Sequence, residues 1–136
     1  MQVSALSKGV RMSPRKISLV ASLVRGRTVA DALVILEHTP KRAALPVRKA
    51  IASARSNAVV NHAADEKSLV IEHLTVTAGA RIKRFRPAAQ GRALPYQKKT
   101  SHIKVVLNGV EKPKKTTAAK AVAETKPADT KAEKEA

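Results

Sequence analysis

Seven basic side chains, Arg81, Lys83, Arg84, Arg86, Arg92, Lys98 and Lys99, fall within the nineteen residues 81–99, RIKRFRPAAQGRALPYQKK. The same stretch holds both aromatics of the chain, Phe85 and Tyr96, and not one acid. Guanidinium and ammonium groups at this density neutralise phosphates and release condensed counterions. Arginine can also fork onto phosphate or guanine, and a ring set among cations offers an unpaired base a surface to stack on. The chemistry on offer is therefore the binding of a polyanion. A basic residue cluster of this kind can also be a solvated loop, but nineteen structureless residues inside a small domain are uncommon unless they serve a function.

Catalysis finds no footing. Only five acids precede residue 111, too few and too scattered for a paired carboxylate, and there is neither a GxSxG elbow nor a GxxxxGK phosphate loop. The histidines His38, His62, His73 and His102 show no ligand spacing of three or four, and cysteine is absent, so neither a metal nor a cofactor is expected. His102, beside Ser101 and Lys104 at the foot of the basic stretch, is better placed to meet RNA.

The elements that must carry residues 81–99 flank it. The stretch has too few aliphatics to form a core and too much like charge to collapse on itself. On either side, 69–77 (LVIEHLTVT) and 101–107 (SHIKVVL) have the β-branched composition of strands. The reading is a β-hairpin with its tip near 87–91, whose arms, roughly ten residues each at about 3.3 Å per residue, project on the order of 30 Å from the body.

Composition agrees. The 136 residues carry a net charge of +17, enough self-repulsion to favour a polyanionic partner. The charge is uneven: residues 1–110 hold 20 basic and 5 acidic residues, 111–136 hold 7 and 5, and none of 73–110 is Asp or Glu. The N-terminus lacks the pattern of a signal peptide and no run approaches eighteen apolar residues, so a cytoplasmic protein without a membrane span is expected.

In chain order, the alternation of 2–10 predicts a short strand with Val3 and Ala5 on one side. Ser13-Pro14 starts a helix over 14–25, with Ile17, Val20, Ala21 and Val24 as its buried stripe, Leu19 and Leu23 widening it, and Gly26 as the stop. Arg15 and Lys16 at its start oppose the helix dipole by a few tenths of a kcal/mol, which an anion would reverse. With Arg25 and Arg27 they form either a second contact surface or a solvated face. Thr28 and Asp31 cap a second helix with Val29, Ala32, Leu33 and Leu36 inward, ended by Thr39-Pro40. A third helix over 41–62 buries Val47, Ala50, Ile51, Ala54 and Ala58, and Pro46 requires a kink or a start at that residue. Its opposite face, Lys49, Ser53, Asn57 and Asn61, suits either RNA sugars and phosphates or plain solvation. Residues 111–136 are low-complexity Ala, Lys, Glu, Thr and Pro, expected to be a disordered, solubilising tail. The sum is an α+β fold: one domain over 1–110, with three helices on a small, mostly antiparallel three-stranded sheet, an arm over about 78–100, and an almost wholly aliphatic core.

The segments SPRKISLVASLVRGRTVADALVIL, KRAALPVRKAIASARSNA, KRFRPAAQGRA and KKTSHIKVVL resemble the bacterial large-ribosomal-subunit protein twenty-two family, over roughly residues 1–110. The resemblance implies a body seated on 23S-type rRNA at the outer end of the nascent-peptide exit tunnel, among neighbouring large-subunit proteins. It implies an arm reaching inward, with Pro87, Ala88, Ala89, Gln90, Gly91 and Arg92 lining the tunnel beside the nascent polypeptide. It also implies a role in early subunit assembly, a location on the cytoplasmic ribosome, no small-molecule substrate and no membrane. The motif positions Lys83, Arg84, Arg92, Lys99, Ser101 and His102 carry over as rRNA contacts. Ala88 and Gln90 stand where the family usually has basic residues, and Pro95 and Tyr96 where it has charged or aliphatic ones, so this tip would offer fewer phosphate contacts. The rival from another class is an architectural DNA-binding protein whose proline-tipped basic ribbon kinks the duplex through the minor groove.

Overall fold

The computed structural model describes residues 1–110; the tail expected to be disordered, 111–136, lies outside the described residues. In chain order the elements are β1 (Gln2–Val10), α1 (Pro14–Val24), α2 (Val29–His38), α3 (Ala44–His62), β2 (Val70–Pro87) and β3 (Ala93–Asn108), with single 3-10 turns at Glu66–Ser68 and Ala89–Gly91.

Local chemistry sets most boundaries. Pro14 opens α1, and Arg25 is already extended (φ −63°, ψ 136°), so the helix ends one residue before the expected limit. Gly26 follows at φ +72°, a left-handed turn that glycine makes without a Cβ clash. The Thr28 hydroxyl accepts the Asp31 N–H at 3.2 Å and donates to Asp31 Oδ2 at 2.7 Å. The short acid reaches the hydroxyl of the cap where a glutamate would reach back to its amide. Helix α3 starts at Ala44, so Pro46 falls in the first turn, where its missing N–H has no helical partner to lose, and no kink is needed. Ala63 closes the helix in the left-handed region (φ 48°), and the Ala64 N–H returns to the Ala58 carbonyl at 3.1 Å.

The sheet is entirely antiparallel in the order β1-β3-β2. α3 lies over β1 and β3, α1 over β2, and α2 rests on α3, so one sheet face is covered and the other is wet. The covered face follows the period of two in β1 and β3, where Val3 and Ala5, and Ser101, Ile103, Val105 and Leu107, are buried; in β2 a bulge between Ile71 and His73 lengthens the step, so that Ile71 and Leu74 face the same side. Against them pack Ile17, Val20, Ala21 and Val24 of α1 and Val47, Ala50, Ile51, Ala54 and Ala58 of α3. Each fully buried Ile, Leu or Val contributes about 1.5–3 kcal/mol relative to exposure, and no aromatic takes part. Leu19 and Leu23 do not join: they are 67% and 47% exposed, because the four-residue stripe already fills the contact with the sheet. The α1–α2 turn is stitched to the free edge of β2 by Gly26 N–H to the Ile71 carbonyl, Ile71 N–H to the Arg27 carbonyl and Val29 N–H to the Leu69 carbonyl, each 3.0 Å. That covers one exposed edge at the base of the sheet.

Candidate nucleic-acid interface

Strand β1 makes its last pairing at Val10–Ser101. Beyond it β2 and β3 run on as a two-stranded ribbon to Pro87 and Ala93, nine residues of β2 that reach on the order of 30 Å at about 3.3 Å each. The flanking strands and the basic stretch are thus one continuous hairpin.

Its root is built from two bulges. Between Ala78 and Arg81, β2 holds one residue more than β3 opposite; between Ser7 and Val10, β1 does the same. A Cβ on Gly79 would sit 2.6 Å from Thr100 Oγ1 and 3.1 Å from His102 Nε2, which is why glycine stands there. The Thr100 hydroxyl donates to the Ala80 carbonyl at 2.7 Å. The Gly9 N–H donates to His102 Nδ1 at 3.0 Å, so the imidazole ties the two bulges together. The extra residue in β2 shifts its phase and decides which side chains share a face. Arg81 opposite Lys99, Lys83 opposite Gln97 and Phe85 opposite Pro95 continue the helix-covered face. Ile82 opposite Lys98, Arg84 opposite Tyr96 and Arg86 opposite Leu94 continue the wet one.

The two aromatics therefore occupy opposite faces. Phe85 is 72% exposed and free to receive a base, whereas the Arg86 guanidinium lies 6.0 Å from the centre of the Tyr96 ring, at the limit of a cation–π contact. All seven basic residues of the arm except Lys98, which is half-buried, are exposed. The direct Arg81–Lys99 opposition is repulsive, and a coreless two-stranded ribbon is marginal in water. An anion along it relieves both. At the tip, Ala88 N–H meets the Arg92 carbonyl at 2.8 Å, Gln90 turns left-handed at φ 60° and Gly91 at φ 70°, and Arg92 donates to the Gln90 side-chain carbonyl at 3.2 Å.

The other predicted residues divide. Arg15 and Lys16 are exposed at the start of α1. Arg25 and Arg27, at its other end, spend their Nε protons on the Leu74 and Leu23 carbonyls, at 3.0 and 2.9 Å. Ser101 is a correction. It is fully buried and its hydroxyl donates to the Met12 carbonyl at 3.0 Å, so it holds β3 to the β1–α1 turn and presents no surface to RNA. Replacing Ser101 with alanine is expected to cost about 1 kcal/mol in urea unfolding.

One cationic feature escapes sequence inspection. The β1–α1 turn, the first turns of α1 and the α2–α3 connection enclose an open groove of about 700 Å³ lined by Arg11, Met12, Ser13, Lys16, Lys41 and Arg42 among others, with no acid. Its cations come from segments some thirty residues apart, and nothing in their spacing announces the meeting. Among the described residues the Arg/Lys–carboxylate ion pairs, Arg48–Glu37 and Arg55–Glu66, are both made by α3, away from the arm.

The sequence profile of the ribosomal protein L22p/L17e family matches residues 5–108, a span that takes in the whole helical layer, β1 from Ala5, β2, β3 and the arm. The large ribosomal subunit protein uL22 of Oceanobacillus iheyensis is 50% identical over 107 residues, which cover 79% of this chain and 95% of that relative. The profile match over most of the chain and the half-identical relative show that the chain belongs to the ribosomal protein L22p/L17e family.

Proposed function

We propose that this protein is a structural constituent of the large ribosomal subunit in the cytoplasm, that it binds 23S-type rRNA and aids assembly of the subunit, and that its arm lines the nascent-peptide exit tunnel. The observation that carries this reading is the arm: a ribbon without a core, bearing seven cations and no acid, joined rigidly to the body by the bulge pair around His102. Such a ribbon gains order and loses repulsion when phosphates line it. Membership of a ribosomal family supports the same partner, with neighbouring subunit proteins around the body. The work is architectural and asks for no cofactor, no metal and no turnover.

The direct test is sedimentation of a cell lysate through a high-salt sucrose gradient. The full chain is expected to travel with large subunits; recovery with the nucleoid, or equal affinity for duplex DNA and structured rRNA, would instead favour the DNA-kinking reading. The tunnel role has its own test. A photo-crosslinker at Gln90, on the exposed tip, is expected to capture a stalled nascent chain on assembled ribosomes, and no capture would remove the tip from the tunnel wall.

A further inference from the structure

His102 lies on the wet face of the middle strand, at the level where β1 stops and the ribbon leaves the sheet. Both outer strands bulge there: Lys8 and Gly9 of β1, and Gly79 and Ala80 of β2, have no partner across the sheet. A bulge leaves its extra residue out of the ladder and bends the strand, so two of them side by side make the root the place where the ribbon's direction is set. The imidazole spans both. Its Nδ1 accepts the Gly9 N–H at 3.0 Å, while a Cβ on Gly79 would come within 3.1 Å of its Nε2 and 3.2 Å of its Cε1. One outer strand gives the ring a donor; the other, lacking a side chain, gives it room.

The bond also fixes the state of the ring. Its donor is a backbone amide, so Nδ1 must offer a lone pair, and the ring is the neutral imidazole with its proton on Nε2. A second proton can go only to Nδ1, where it would meet the Gly9 N–H donor against donor. No carboxylate stands by to hold the resulting charge. Lys104 follows on the same face of β3, Lys8 shares the β1 bulge, uncharged Thr77 is opposite on β2, and Arg81 and Lys99 are the next charges up the ribbon. The single acid of the three strands, Glu72, lies toward the other end of the sheet and accepts from Gln2 at 2.9 Å. The helices pack on the opposite face, so no group from them reaches the ring.

We propose that His102 is the positioning residue that aims the arm, and that it does so only while its ring is neutral: protonation releases Gly9, and the ribbon then swings about its root. The inference concerns the free chain and stands whether or not the arm binds rRNA.

The test uses the full chain, which has no native cysteine. Spin labels on Ala89→Cys at the tip and Ser56→Cys on α3, both exposed positions, report the tip-to-body distance, and nitrogen-15 spectra report the His102 tautomer and the exchange protection of the Gly9 amide. At about pH 8 the parent is expected to show an Nε2–H ring, a protected Gly9 amide and one narrow distance distribution. Toward about pH 5, as the ring takes its proton, Gly9 protection is expected to fall by about tenfold and the distribution to broaden. His102→Asn puts a carbonyl oxygen near the place of Nδ1 and does not titrate, so it is expected to stay narrow at both pH values; His102→Leu accepts nothing and is expected to be broad at both. A parent whose ring titrates without change in Gly9 protection or distance width overturns the proposal. So does a ring that stays neutral until the body unfolds, a His102→Leu chain as narrow as the parent, or broadening on acidification that persists in His102→Asn, since His38, His62 or His73 would then be its source. Should His102→Leu fail to fold, the parent and His102→Asn compared over the same range still decide.

Discussion

Replacing Arg81, Lys83, Arg84, Arg86, Lys98 and Lys99 together with alanine is expected to reduce the slope of log affinity against log salt for structured rRNA by about four to five. The parent chain, with six or more phosphate contacts, is expected to lose about a thousandfold in affinity between 50 and 200 mM salt, and the variant only a small part of that. The sign follows from counterion release: each phosphate met by a cation frees an ion, and high salt charges the complex for recapturing it. The core contains none of these six residues, so circular dichroism of the body should be unchanged. Filter binding across five salt concentrations decides the matter. A slope equal to the parent's would mean that the arm cations do not touch phosphate.

Ile103→Ala is expected to destabilise the body by about 2–5 kcal/mol. Ile103 is fully buried on the middle strand, paired with Ser7 on one side and Val76 on the other, so its deletion opens a cavity under the helices that neither neighbour can close. A domain of this size is stable by about 5–15 kcal/mol, so the loss is a large fraction of the whole. The urea midpoint should fall with the slope of the transition unchanged. Leu94→Ala on the arm, at a side chain 57% exposed, should move the midpoint by no more than about 0.5 kcal/mol. Equal effects at the two positions would mean that ribbon and body share one core.

These contrasts show which parts of the molecule could be read without coordinates. The helices were legible because their punctuation is chemical: Ser13-Pro14, Gly26, Thr28 with Asp31, and Thr39-Pro40 each act over a few residues. The buried stripes followed from spacing, and Val3 and Ala5 from alternation. Charge composition together with the β-branched flanks identified the arm. What stayed hidden depends on contacts between distant segments. The bulges at Gly9 and Gly79 exist because His102 and Thr100 face them across the sheet, and no local pattern encodes that pairing. Ser101 carries a hydroxyl, and its burial against the Met12 carbonyl is a tertiary fact. Lys41 and Arg42 read locally as the start of the third helix and Arg11 carries no reading of its own, until the α2–α3 connection brings the three together. Pro46 misled because the helix start was placed three residues early, which turned a first-turn proline into an interior one.

The ribbon has one more consequence. Having two strands only, it has two open borders along its outer length, rows of amide and carbonyl groups able to recruit a third strand from any neighbour. Before it reaches its particle, a newly made copy would meet other copies in that state. Lysine and arginine spaced along both borders make each such docking a collision of like charges, so the residues proposed to meet nucleic acid would also keep the waiting protein from self-stacking into insoluble sheets.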